Sequence, residues 1–68
     1  MTYKEIQSRC NDEDIPMFGV NDDGENVVIE AGQNGMGKYY RITTAQHNGW
    51  CRVNYYYEDG CIEEEFEK

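Results

Sequence analysis

The sequence predicts an α+β domain in which a short N-terminal helix packs on a five-stranded antiparallel β-meander. Three dipeptides, Asp23-Gly24, Asn48-Gly49 and Asp59-Gly60, each lie between runs rich in β-branched and aromatic residues. Asn-Gly and Asp-Gly are typical of hairpin loops, because a type I′ turn needs positive φ at both loop residues. Apolar residues at helical spacing precede the first of these runs. We therefore expect one helix followed by hairpins whose strands form a single sheet.

The helix is predicted at about residues 2–10 of a single domain spanning residues 1–68. Thr2 and Glu5 fit a capping box, in which the Thr hydroxyl accepts a backbone N–H of the first turn. An apolar stripe follows at helical spacing: Tyr3, Ile6 and Cys10. The helix is too short to be stable alone, so the stripe must dock on the sheet. It should end before an acidic linker at residues 11–14.

Hairpins are predicted at about residues 17–31, 38–57 and 53–67, the last two sharing a strand. A glycine-rich segment from Gly32 to Gly37 predicts a loop between the first two hairpins. With two-residue loops, Val20 lies opposite Val27 and Tyr40 lies opposite Tyr57.

Side chains alternate across a strand, so this register assigns each residue of the central hairpin to a face. The expected core face carries Tyr40, Ile42, Thr44, Cys51, Val53, Tyr55 and Tyr57. The opposite face is polar and aromatic, with Tyr39, Arg41, Thr43, Ala45, Trp50, Arg52, Asn54 and Tyr56. An aromatic patch of Tyr39, Trp50 and Tyr56 on the second face predicts a protein interface or a homodimer contact, since Tyr, Trp and Arg are enriched there.

The last strand is predicted to place its apolar residues, Ile62 and Phe66, on the core face together with Glu64. Its other glutamates, Glu63, Glu65 and Glu67, then share the opposite face. On the same register Glu67 lies opposite Arg52, which predicts a cross-strand ion pair.

The charge of the chain restricts its partners. Its 68 residues include 14 acidic and 6 basic side chains, a net charge of −8. This balance excludes ordinary nucleic-acid binding through phosphate neutralisation and disfavours anionic membranes. It is typical of a protein that binds a basic partner, or of one kept soluble by charge. The sequence has no apolar run as long as a signal peptide or a membrane span, so we expect a cytoplasmic protein. Its three cysteines are then expected to be reduced thiols.

No motif predicts catalysis. Residues 32–38 match the spacing of a GxxxxGK phosphate-binding loop, but Tyr39 stands where Ser or Thr should bind the metal ion. A strand pattern also follows, whereas an anion site needs a helix N-terminus. Three cysteines and His47 would be enough zinc ligands by number, but the predicted register spreads them over the sheet. We therefore expect no cofactor, no metal site and no enzymatic activity.

Two functional interpretations remain open. In the first, acidic residues on turns and on the last strand engage a basic groove of a protein partner. The residues expected to bind are Asp22, Asp23, Glu58, Asp59, Glu63, Glu65, Glu67, Tyr39, Trp50 and Tyr56. In size and acidic clusters the chain resembles the small acidic inhibitors encoded by phages, anti-CRISPR and anti-restriction proteins among them. That resemblance implies inhibition of a nucleic-acid-processing enzyme by mimicry of nucleic acid. In the second interpretation the chain is a small metal- or ligand-binding or homodimeric accessory domain.

Overall fold

A computed structural model describes residues 1–10 and 12–68 and has the predicted α+β arrangement. Its elements are helix α1 (Tyr3–Arg9), a 3₁₀ turn (Asp12–Asp14) and strands β1 (Met17–Val20), β2 (Asn26–Asn34), β3 (Gly37–Ala45), β4 (Cys51–Tyr57) and β5 (Ile62–Glu67). The strands pair antiparallel in chain order, so β1 and β5 form the two edges of the sheet. Asn11, in the predicted acidic linker, lies outside the described residues. No helix in the described part of the chain has the length and apolar character needed to cross a membrane.

Helix α1 begins with the predicted cap and docks through the predicted stripe. The Thr2 hydroxyl accepts the Glu5 N–H at 3.3 Å. Tyr3, Ile6 and Cys10 are buried against Tyr40 and Ile42 of β3. The rings of Tyr3 and Tyr40 lie 4.7 Å apart. The helix therefore covers one side of the central strands, which we call the helix face; the other side of the sheet is the open face.

The three Gly-containing hairpin loops differ from the prediction. Each has three residues and ends in a glycine of positive φ: Gly24 (79°), Gly49 (88°) and Gly60 (98°). In the central loop the Gly49 N–H donates to the Gln46 carbonyl at 3.3 Å, and the Gln46 N–H donates to the Trp50 carbonyl at 2.9 Å. This pattern is that of a type I turn followed by a left-handed glycine. No described non-glycine residue has positive φ, so the predicted type I′ turns are wrong.

The longer loops shift every predicted hairpin register by one residue. Tyr40 lies opposite Tyr56 and not Tyr57, and Val20 lies opposite Asn26 and not Val27. A one-residue shift moves a whole strand to the other face. On the open face, Cys51, Val53, Tyr55 and Tyr57 therefore join Tyr39, Arg41, Thr43 and Ala45, whereas Arg52, Asn54 and Tyr56 lie on the helix face with Tyr40, Ile42 and Thr44.

Both faces of the sheet bury apolar residues. Val27, Ile29 and Tyr56 pack around the helix-face core, while Val53 and Tyr57 are buried on the open face. The predicted core positions Ile62 and Phe66 are wrong: both lie on edge strand β5 and are more than half exposed. The predicted loop at Gly32–Gly37 is also shorter than expected, because β2 and β3 leave only residues 35 and 36 between them.

Candidate functional site

A row of carboxylates lies along the open face of β5. Glu63, Glu65 and Glu67 lie opposite Tyr55, Val53 and Cys51 of β4. They share one face as predicted, and all residues of β5 are exposed. We call these three residues the acidic row. Since β5 is an edge strand, one side of the row has no neighbouring strand in the described sheet.

The remaining predicted acidic residues divide between the two ends of the sheet. Glu58 and Asp59 lie in the loop that leads into β5, where the Glu58 N–H donates to the Lys38 carbonyl of β3 at 3.0 Å. Asp22 and Asp23 lie in the β1–β2 loop. At about 4.8 Å per strand, β1 is about 19 Å across the sheet from β5. Three of the seven predicted acidic residues therefore form the acidic row. Glu58 and Asp59 instead line a groove with Thr2, Tyr3 and Lys4 at the N-terminus of the helix, and Asp22 and Asp23 are remote from β5.

An aromatic cluster lies beside the acidic row on the open face. It consists of Tyr39, Tyr55 and Tyr57, with ring centroids 5.4 Å, 5.7 Å and 6.4 Å apart. The guanidinium carbon of Arg41 lies 5.9 Å from the centroid of Tyr55. Edge-to-face and stacked rings at these distances hold one another in place. Tyr57 is buried, whereas the half-buried Tyr39 and Tyr55 present a residue type that is enriched at protein interfaces.

The aromatic patch predicted from the sequence does not form. Only Tyr39 of its members lies on the open face within the sheet. Tyr56 lies on the helix face and packs against the core. Trp50 lies at the β3–β4 loop, 40% exposed, with Lys68 Nζ 5.5 Å from its ring centroid. The predicted register places Tyr55 and Tyr57 on the core face, so the sequence does not indicate that they form this aromatic cluster with Tyr39.

Arg41 is held between two carboxylates on the open face. Its guanidinium lies 3.6 Å from Glu30 and 3.5 Å from Glu67. The predicted pair between Glu67 and Arg52 is wrong, because Arg52 lies on the helix face opposite Phe66. Four carboxylates and one guanidinium therefore lie on the open-face strand positions, a net charge of −3. The open face is acidic along β5 and aromatic at its centre.

The cysteines are separated in the structure. Cys10 is buried, Cys51 is half-buried and Cys61 is exposed at the end of the last loop. Among residues 1–10 and 12–68, no group of three His, Cys, Asp or Glu side chains could hold a metal ion. A hydrogen bond to Asp59, and then the negative charge of that carboxylate, raise the pKa of the Cys61 thiol. Cys61 is therefore protonated at neutral pH and is a weak nucleophile.

Comparisons with protein-family models, with curated proteins and with solved structures found no match.

Proposed function

We propose that this protein binds a basic nucleic-acid-binding groove of a partner protein and inhibits it by occupying the groove. The observation that carries the proposal is the acidic row, three exposed glutamates on one face of a free edge strand. Alternate residues of a strand are about 6.6–6.8 Å apart, close to the separation of successive phosphates in a nucleic-acid strand. Lys and Arg side chains that normally neutralise phosphates would pair with these carboxylates.

The neighbouring aromatic cluster supports the same partner chemistry. Arg41 shows within the chain how a guanidinium lies against Tyr55. Arg side chains of the partner would stack in the same way on the accessible parts of the half-buried Tyr39 and Tyr55 rings. Arg41 already pairs with Glu67, so it would compete with the basic side chains of the partner for this carboxylate. Since Arg52 is on the helix face, Arg41 is the single cationic side chain at the open-face strand positions.

The proposed partner is a cytoplasmic nucleic-acid-processing enzyme. This assignment extends the resemblance in size and charge to small acidic phage inhibitors such as anti-CRISPR proteins. The two remote residues, Asp22 and Asp23, would contact such a partner only if its groove spanned the whole sheet.

The test is affinity capture from a nuclease-treated bacterial lysate, with the captured proteins identified and assayed. We expect the captured proteins to be nucleic-acid-binding enzymes whose activity is inhibited. They should be retained at about 50 mM salt and released at about 500 mM, and excess nucleic acid should displace them. Replacing Glu63 and Glu65 by Lys should abolish capture.

The matched control replaces Glu13 and Asp14, in the 3₁₀ turn, by Lys. It changes the net charge by the same amount but leaves the acidic row intact, so capture should persist. Capture that resists both high salt and competing nucleic acid, or that survives the Glu63 and Glu65 replacement, would contradict groove mimicry.

A further inference from the structure

The two edges of the sheet differ in charge. Strand β5 carries four glutamates in six residues, whereas Met17–Val20 of β1 carries no charged side chain. All four residues of β1 are exposed, Phe18 to 75% and Val20 to 66%. Unpaired edge strands recruit other strands unless charge, proline or cover prevents it. Repulsion between glutamates protects β5 against pairing with its own copy. Met17–Val20 of β1 contains neither a charged residue nor a proline that would oppose such pairing.

The backbone of β1 presents donors and acceptors outward at two residues. The Asn21 N–H donates to the Glu25 carbonyl at 3.0 Å, so the backbone of Asn21 is directed toward β2. In an antiparallel pair the direction alternates along the strand. Gly19 therefore also faces β2, while Phe18 and Val20 direct their N–H and C=O groups away from the sheet.

We propose that β1 pairs antiparallel with β1 of a second copy of this chain, about a two-fold axis at Gly19. In this register Phe18 lies opposite Val20 of the partner subunit, and the reciprocal pair is identical. The outward N–H and C=O groups of both residues are then satisfied in both subunits. The two sheets join into one of ten strands, with their open faces on the same side.

The neighbouring registers are less favourable for reasons that the sequence supplies. If Phe18 lay opposite itself, Val20 would lie opposite Pro16 of the partner subunit, which has no N–H to donate. If Val20 lay opposite itself, Phe18 would lie opposite Asp22 of the partner subunit, a carboxylate against an aromatic ring. Only the axis at Gly19 pairs Phe18 and Val20 with apolar residues that each have an N–H to donate.

The side chains around the axis also suit a second copy. On the open face, Phe18 and Val20 of both subunits would form one apolar strip next to Val28, the β2 neighbour of Phe18. On the helix face, a groove of about 420 Å³ beside β1 is lined by Met1, Met17, Val27 and Ile29. Gly19 has no side chain to divide this groove from its symmetry copy. Pairing would cover much of the apolar surface that β1 leaves exposed.

This association is independent of the proposed function, because β1 lies at the opposite edge from the acidic row. The two also respond to salt in opposite directions. Groove binding between opposite charges weakens with salt, whereas association of two chains of charge −8 strengthens as repulsion is screened.

Sedimentation velocity between about 10 and about 500 μM tests the dimer, at low salt and in about 0.5 M NaCl. We expect a concentration-dependent dimer whose fraction rises with salt. Val20→Lys places a charge at each apolar pair and should weaken association at least tenfold. Ile62→Lys, at a position of similar exposure on β5, should leave it unchanged. A chain that stays monomeric throughout, or equal effects of the two variants, would overturn the proposal.

Cross-linking tests the register even if Val20→Lys fails to fold. In a Cys61→Ser background, Gly19→Cys would face its own copy at about 4.5 Å between Cα atoms, within disulfide range. A Cβ at Gly19 meets no atom within 4 Å. Diamide, which takes up the two electrons and two protons released, should give a disulfide-linked dimer. Glu65→Cys in the same background should remain monomeric. No cross-link at position 19, or equal cross-linking at both positions, would overturn the register.

Discussion

At the scale of single residues, Val53 and Asn54 are adjacent in β4 but differ sharply in what they contribute. Val53 is fully buried on the open face, whereas the half-buried Asn54 donates a hydrogen bond to the exposed Glu64 at 3.3 Å. Val53→Ala should lower the free energy of unfolding by about 1–3 kcal/mol, because the surrounding sheet cannot fully close the cavity. Asn54→Ala should change it by no more than about 0.5 kcal/mol. Urea unfolding measures both, and greater sensitivity at Asn54 would contradict the burial described.

The burial of β3 could be predicted from the sequence, but the faces of β4 could not. Tyr40, Ile42 and Thr44 are buried on the helix face as predicted. Val53 is buried as predicted, but on the opposite face. Register is well specified when only one face of a sheet is buried. Here both faces of β4 carry aromatic or apolar side chains, so the alternation of residue types fits either register.

At the scale of elements, the three glycine-terminated loops determine the register of the sheet. Gly49 has a φ of 88°, a conformation that is costly for any residue with a Cβ. Gly49→Ala should therefore destabilise the domain by about 1–2 kcal/mol. Gly35→Ala is the matched control, since Gly35 also lies in a turn but lacks positive φ, and its added Cβ meets no atom within 4 Å. Urea midpoints that fall equally for both variants would show that backbone conformation is not the cause.

The length of these loops could not be predicted from their dipeptides, because Asn-Gly and Asp-Gly suit both loop types. In the structure, Asn48 Oδ1 accepts the Trp50 N–H at 3.0 Å, and Asp59 Oδ1 accepts the Cys61 N–H at 2.9 Å. Each side chain thus bonds the residue that follows the glycine, as in an Asx-turn. Asn and Asp are also favoured in type I′ turns, so the residue type alone does not distinguish the two.

The acidic row could be predicted although the register could not. Glu63, Glu65 and Glu67 share a face because of the two-residue period within their own strand, whatever lies opposite them. The aromatic cluster depends on pairing between β3 and β4, which is why Tyr55 and Tyr57 were missed. The acidic row therefore follows from one strand alone, whereas the aromatic cluster could be predicted only with the correct loop length between β3 and β4.

At the scale of the whole molecule, the sheet has one acidic edge and one uncharged edge. In the dimer proposed above, the uncharged edges meet and the two acidic rows lie at opposite ends of ten strands. Nine spacings of about 4.8 Å separate them by about 43 Å. Such a dimer would present two separate groove-binding edges, and neither would lie near the dimer axis.

The net charge of −8 should make the fold more stable as salt is added. At about 0.01 M salt the screening length of about 30 Å matches the 31 Å longest dimension of the domain, so all its charges interact. Salt also weakens the ion pairs of Arg41 with Glu30 and Glu67, which lowers stability. The side chains of these pairs are 30% to 52% exposed, so the ion pairs contribute little to the free energy of unfolding. Repulsion should therefore dominate.

Raising NaCl to about 0.5 M should increase the thermal midpoint by about 4–8 °C, equivalent to about 1 kcal/mol in a domain of this size. Measurements at about 10 μM, where a weak dimer dissociates, separate this effect from association. The variant with Glu13 and Asp14 replaced by Lys halves the net charge and should show a smaller rise. A midpoint that falls with salt would mean that the Arg41 ion pairs outweigh the repulsion among the remaining carboxylates.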